Sequence, residues 1–460
     1  MLRRWRVLLY LFYAVPLVLF LAINMPVYLN ADETNHLMRA ETVLDGQLIG
    51  TRTADGRSGG EIDDNMLSVL RIQWPLLSVP EARATHAITD AAWAIKWGGP
   101  RTFADIPNTI IYPPTLYAPV IAGLGLGKLL DLSIAQSFVV ARLANGLVSI
   151  LIAALALHLA ARGWRMLFAV LLLPMSLAQM ASASQDALLI AGGALLVALV
   201  SRPVAQERPA TNGEFISMAV LITLLSMSRP TNFAFLLFLL PLAPRLVGRV
   251  SLASVLPAML ALVLGWILWM ALEVQVQQVW GDVVPSTSGQ VRHLLENPLD
   301  FFRALYGTWT TGAGYWGTTV MMLGWLGWSQ FNIVLTGWFY TAALWMLGGA
   351  LLGDMLEEGH HPPRFAALAL AVVLISALGI YFLQYLTFSA VGGDEVTGVQ
   401  GRYFLALLAT LGLAVPSLAR FLPDRVARHA RDVLTVTVLA FPLVTLALLP
   451  KIVIARAVMG

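Results

Sequence analysis

The stretch "NADETNHLMRAETVLDGQLIG", residues 30–50, sets Asp32, Glu33, His36 and Arg39 behind an apolar run of about twenty residues. Helical spacing from Asp32 places His36 and Arg39 on one face, with Glu33 beside them. A carboxylate so placed can take a proton from a hydroxyl nucleophile, and a neighbouring histidine and arginine can orient it. "LLLPMSLAQMASASQDALLIAGGALL" adds Ser182, Ser184, Gln185 and Asp186 at another apolar boundary. "MSRPTNF" and "VQGRYF" each bring one arginine, Arg229 and Arg402, to the same kind of boundary, and Tyr403 follows the second. An arginine fork there can grip a lipid phosphate through paired N–H donors. The candidate catalytic residues are therefore Asp32, Glu33 and Asp186, and the candidate substrate-binding residues are His36, Arg39, Tyr112, Gln185, Arg229, Arg402 and Tyr403.

Each of these positions also has a plainer role. Asn30 followed by Glu33 fits a helix N-cap with its reciprocal acid, and Asp186 fits a helix start. Arg229 and Arg402 fit arginines that run their stems along a membrane boundary to water. "YPPTLYAP" fits a proline-started helix at an interface, with Tyr112 and Tyr117 at headgroup level. His360 and His361 in "EEGHHPPR" read as a solvated loop, and the tryptophans from Trp309 to Trp328 as an aromatic belt. His86 and His293 have no partner at metal-ligand spacing, so neither a metal site nor a cofactor is expected. The carboxylate pair alone leaves an ion set incomplete.

The elements that must position these groups are membrane spans. The chain is 58% hydrophobic and 12% charged, where a soluble chain carries about a quarter charged residues. Its apolar runs do not alternate every second residue, which excludes a transmembrane β-barrel. The opening "MLRRWRVLLYLFYAVPLVLFLAINM" is too long for a signal-peptide core and is read as a retained first span. Further spans fall at 134–161, 166–181, 187–201, 215–228, 230–247, 253–275, 330–352, 365–388, 402–422 and 433–450, giving about eleven crossings with the N-terminus cytoplasmic. The basic loops at Arg162/Arg165, Arg202/Arg208, Arg245/Arg249, Arg364 and Arg420/Arg425/Arg428/Arg431 then all face the cytoplasm. That drawing requires residues 112–130 to be an interfacial or re-entrant helix of a long outer loop, 29–132. No cysteine is present, so thiol catalysis and disulfides are absent. The net charge of +3 reflects mostly these orienting residues.

The motifs "DETNHLMRAETVLDGQLIG", "YPPTLYAP", "ARLANGLVSI", "LLLPMSLAQMASASQDALLIAGG", "LGWLGW" and "VQGRYF", over residues 30 to 410, resemble an uncharacterised bacterial family of multi-span membrane proteins with a D-E-x-x-H-x-x-R-A opening. That family in turn resembles the GT-C glycosyltransferases, among them the protein O-mannosyltransferases and the aminoarabinose transferases of lipid A. The resemblance implies an all-α polytopic bundle, with a first outer loop of membrane-proximal helices. It also implies that Asp32 or Glu33 serves the acceptor, that Asp186 matches the acid of the second outer loop, and that Arg229 stands where such enzymes carry a Lys or Arg before Pro. The implied partners are membrane lipid, a polyprenyl-phosphate-linked sugar and a cell-envelope glycan or lipid acceptor, at the outer face of a bacterial inner membrane. Nucleic-acid signatures are absent. The chain divides on this reading into 1–275, an outer Trp/Gly-rich segment 276–329, and 330–460. A transporter or flippase of an amphipathic substrate is the rival, although transport favours ionisable groups near span midplanes, where only Arg142 and Glu273 come close.

Overall fold

The computed structural model describes residues 2–80, 82–243, 252–274, 284–359 and 361–457. The expected division at 275/276, Arg245, Arg249 and His360 lie outside the described residues.

Helix α1 (Leu2–Asn24) leads into a lobe made of α2 (Glu33–Leu44), β1 (Thr51–Arg52), β2 (Ser58–Asp63), α3 (Asp64–Ser78), α4 (His86–Ala94), β3 (Arg101–Asp105) and α5 (Ala118–Leu129). The bundle continues with α6 (Ile134–Leu159), α7 (Trp164–Leu171), α8 (Pro174–Met180), α9 (Asp186–Ala205), α10 (Asn212–Ser228), α11 (Leu239–Leu242) and α12 (Leu252–Trp269). After α13 (Thr287–Glu296), α14 (Asp300–Thr310), the single turn α15 (Met321–Leu323) and a hairpin of β4 (Leu326–Trp328) and β5 (Phe331–Ile333), it closes with α16 (Gly337–Met355), α17 (Pro363–Thr387), α18 (Leu405–Thr410), α19 (Asp424–Ala440) and α20 (Pro442–Ala457).

Among the described residues six helical stretches are long and apolar enough to cross a bilayer, namely Arg4–Asn24, Ile134–Leu159, Asp186–Ala205, Ala253–Val274, Pro363–Thr387 and Asp424–Ala457. Several expected spans differ in detail, most of them at a proline or a polar turn. The expected 166–181 span is two short helices because Pro174 cannot donate to the preceding turn. Ser176 Oγ donates to the freed Val170 carbonyl at 2.6 Å. Residues 230–238 form a 3-10 helix after Pro230, and 402–422 is a chain of short 3-10 and α segments rather than one helix. The expected start at 330 falls in the β4–β5 hairpin, so α16 begins at Gly337. The last stretch begins at Asp424 and breaks at Pro442. Helix α5 has twelve residues, about 18 Å, too short to cross a bilayer.

The lobe adds a small sheet to the membrane-proximal helices expected of the first loop. It holds a three-stranded antiparallel sheet in the order β1-β2-β3, with Gly59 opposite Asp105 and Ile62 opposite Thr102. A Cβ at Gly59 would collide with the Ala104 carbonyl, so the "SGGEID" glycines serve close strand approach rather than a turn. Glu41 ties this lobe together, since Arg101 (2.7 Å) and Lys128 (3.1 Å) both reach its carboxylate from β3 and α5. Ser58 Oγ donates to the Val274 carbonyl and Trp266 Nε1 to the Ile111 carbonyl at 2.9 Å, which binds the lobe to the end of α12.

At the opposite end of the bundle, Arg165 pairs with Asp354 at 3.2 Å and donates to Thr435 Oγ1 at 2.8 Å, tying α7, α16 and α19. His361 is buried there, its Nε2 on the Leu413 carbonyl at 2.8 Å, which corrects the expectation of a solvated loop. In the tryptophan segment Trp309 and Trp316 are largely exposed, whereas Trp325 is half-buried and donates to Asn332 Oδ1 at 3.1 Å.

Candidate functional site

The start of α2 decides the geometry. The expected N-cap at Asn30 is not the one formed: the helix begins at Glu33, and Asp32 is its N-cap, with a left-handed backbone (φ 56°) and no side-chain capping bond. Asp tolerates that conformation better than most residues, yet it remains a mildly strained one. The Asn30 amide instead reaches the Glu33 carboxylate at 3.4 Å. Freed from capping, Asp32 turns toward the C-terminal half of the chain.

Glu33 turns the other way. Its carboxylate meets Arg142 in two bonds, Nε–Oε1 2.7 Å and Nη2–Oε2 2.5 Å, and accepts the Ala183 N–H at 3.0 Å. Arg142 spends its remaining donors on the Ala22, Met25 and Pro26 carbonyls. Burial pushes the Glu33 carboxyl up, but Arg142 and the Ala183 and Asn30 donors outweigh it and hold the group below its ordinary range. Glu33 is thus packed between elements, away from the cavity wall described below.

Arg39 is likewise turned inward, donating to the carbonyls of Tyr112 (3.0 Å), Gln47 (3.3 Å) and Leu48 (2.8 Å). The expected shared face of Asp32, His36 and Arg39 is therefore split, because Asp32 precedes the helix and Arg39 secures its flanking loops. His36 remains at the site. Its Nδ1 lies 2.5 Å from the Tyr117 hydroxyl, and its ring stacks on Tyr112 at 6.0 Å and 13°. Burial, helped by Arg402 and Arg229 and opposed by Asp186 and Asp32, pushes its pKa down to about 4, so the ring is neutral at pH 7.

Arg229, Arg402, Asp32 and Asp186 converge. Arg402 Nη2 is ion-paired with Asp32 Oδ2. Its Nε lies 2.8 Å from Asp186 Oδ2, but the N–H points off that oxygen, so this is a charge contact rather than an aligned hydrogen bond. Arg229 Nη2 donates to Asp186 Oδ1 at 2.6 Å. Both guanidinium groups lie over the Tyr403 ring, Arg229 at 3.9 Å and Arg402 at 5.4 Å. The Arg402 side chain is 2% exposed, so neither side chain follows the expected run to water.

Local backbone explains why they meet. Arg229 ends α10 with an extended backbone because Pro230 follows and disfavours the helical conformation. Gly401 passes so close to Met322 and Thr318 that a Cβ would collide with their backbone, and this close approach sets Arg402 against the bundle. Asp186 opens α9, its N–H held by Ser184 Oγ at 3.1 Å. Gln185, beside it, is fully buried behind the wall.

Asp32 and the two arginines, with Asp186 and Gln185 behind the wall, border one end of a cavity of about 250 Å³. Asp32, His36, Tyr112, Arg229, Arg402 and Tyr403 supply its polar end, whereas Ile267 of α12, Met270 just after it, and Ile380 and Leu383 from α17 supply apolar walls. Gln384 and Gln400 also line it, and neither amide oxygen has a hydrogen-bond partner among the described residues. Both were missed from sequence, although Gln384 is a lone amide in the apolar α17, and Gln400 lies two positions before Arg402. Among the described residues no group of three or more His, Asp and Glu side chains is disposed to hold a metal ion. The arrangement offers two cations for an anionic group, a carboxylate that faces the cavity, and an apolar slot for a chain.

A family model described as "Predicted membrane protein (DUF2142)" matches residues 11–411, which include every one of these positions. No curated protein and no solved structure matches the chain.

Proposed function

The chain belongs to that family of membrane proteins, and from this premise we propose that it is an inverting glycosyltransferase of GT-C type. It moves a sugar from a polyprenyl-phosphate donor to a cell-envelope glycan or lipid acceptor at the outer face of a bacterial cytoplasmic membrane. The observation that carries this reading is the two-sided cavity, with Arg229 and Arg402 at one end and the apolar surfaces of α12 and α17 along its walls. A lipid phosphate has the same two halves.

In this reading the acceptor hydroxyl gives its proton to Asp32 while its oxygen bonds to the anomeric carbon of the donor sugar. The bond from that carbon to the phosphate oxygen breaks, and its electron pair leaves on the polyprenyl phosphate. Arg229 and Arg402 stabilise the charge that develops there. Asp186 orients both arginines. His36, neutral, offers a ring nitrogen to the sugar or the phosphate, and Tyr112 and Tyr403 close the polar end. Glu33 and Arg39 position the site from behind it.

The test is turnover. Purified protein in nanodiscs, given a panel of undecaprenyl-phosphate sugars and an envelope lipid fraction, should release undecaprenyl phosphate, read by mass spectrometry, and Asp32→Asn should abolish most of that release. The rival transporter or flippase moves the donor between leaflets with its glycosidic bond intact. Donors that bind and translocate without cleavage would decide for transport.

A further inference from the structure

We infer that the arginine clamp masks the catalytic carboxylate until a lipid phosphate displaces it. The inference rests on the glycosyltransferase reading above. Asp32 and Asp186 carry two negative charges, Arg229 and Arg402 two positive ones, and the four are mutually paired in this structure. An incoming phosphate therefore meets a neutral cluster and must compete with one of the carboxylates.

The two carboxylates are not held equally. Asp186 is gripped from both sides, by Arg229 and by Arg402, and its backbone is fixed in the first turn of α9. Asp32 has only Arg402, makes no capping bond, and stands on a left-handed backbone outside α2. Arg402 also carries a buried Nη1 without a hydrogen-bond partner among the described residues, and Arg402 and Arg229 both line the cavity. Asp32 is the carboxylate that yields.

Exchange of partners changes the chemistry of Asp32. The Asp32 Oδ2 oxygen, engaged by the Arg402 guanidinium, is not free to accept a hydroxyl proton. A phosphate takes over the arginine through two parallel N–H bonds. Asp32, released into the cavity beside His36, then has that oxygen free where an acceptor hydroxyl would lie. That oxygen is freed of Arg402 only after the donor phosphate is bound, so binding is ordered, donor before acceptor.

The experiment measures binding of undecaprenyl phosphate to the full chain in nanodiscs. Asp32→Asn removes the competing anion, so affinity should rise roughly tenfold, while Arg402→Ala should lower it by a similar factor. Asp32→Ser serves as a second uncharged variant if the first folds poorly, judged by its melting temperature. Unchanged or weaker binding in the folded uncharged variants, with loss in Arg402→Ala, would overturn masking and leave the phosphate site standing. Unchanged binding in both Arg402→Ala and Arg229→Ala would instead remove the phosphate reading itself. Inorganic phosphate should bind the wild-type protein more weakly than the lipid, and equal binding would assign the clamp to free phosphate and overturn the lipid as its occupant.

Discussion

Glu33 and Arg142 face each other in a two-bonded ion pair, with both side chains at 1% exposure or less. Its neighbour Asp32 looks into the cavity, so two adjacent acids of one motif face opposite ways, one into packing and one into the cavity.

Breaking the buried pair from one side leaves a charge without its partner, which costs about 3–5 kcal/mol. Glu33→Gln and Arg142→Met should each lower the melting temperature and the yield of folded protein, with Asp32→Asn far milder. A Glu33→Gln protein that melts like wild type would sink this assignment.

Asp32→Asn should lower kcat by roughly 10² to 10⁴ in the donor-cleavage assay, the range for loss of a general base, while the protein folds normally. Full turnover by this variant would remove Asp32 from the proton path.

Gln384 faces the cavity beside the apolar wall of α17. Gln384→Leu should raise KM for the sugar-loaded donor several-fold, on the order of one lost neutral hydrogen bond. Binding of sugar-free undecaprenyl phosphate should stay as it was, and a parallel loss of both would place Gln384 against the phosphate instead.

Orientation is open to a direct chemical reading because the chain has no cysteine. A cysteine at the exposed Asp55 of the lobe should react with a membrane-impermeant thiol reagent in intact cells, and one at the exposed Glu358 should not. The reverse pattern would move the site to the cytoplasm.

His36 supplies a pH dependence of stability. Its folded pKa of about 4 lies below the ordinary 6.5, so between these values the unfolded chain binds a proton that the folded one refuses. Stability is complete above pH 6.5 and falls as pH drops toward 4, by on the order of 3 kcal/mol from this group. The groups that face it are Asp32, Asp186, Arg229, Arg402, Tyr112 and Tyr117. His36→Gln should flatten this part of the melting-temperature profile, and an unchanged slope would assign the acid lability elsewhere.

The charged members of the site were legible because ionisable residues at the ends of apolar runs are costly without a purpose. Asp32, Asp186, Arg229 and Arg402 all follow that signal. Glu33 and Arg39 carry the same signal but face packed interiors, Glu33 because side-chain direction at a helix start turns on whether a residue is the cap or the first helical position. A shift of the cap from Asn30 to Asp32 was enough to separate Asp32 from Glu33. The sheet in the lobe stayed hidden because its central strand carries two glycines directly after Ser58, a composition typical of turns. The breaks at Pro174 and at Pro416, within 402–422, were readable in principle, whereas the short 3-10 and α segments before Gly412 carry no comparable mark.

Arg402 and Asp32 are 370 residues apart in the chain. At a synthesis rate of about 5–20 residues per second, roughly 20 to 70 s pass between the ribosome's making of the one and of the other. Asp186 and Arg229, 43 residues apart, meet much sooner. During biogenesis the cluster is thus half-built, with its first acid waiting for a partner the ribosome has yet to translate.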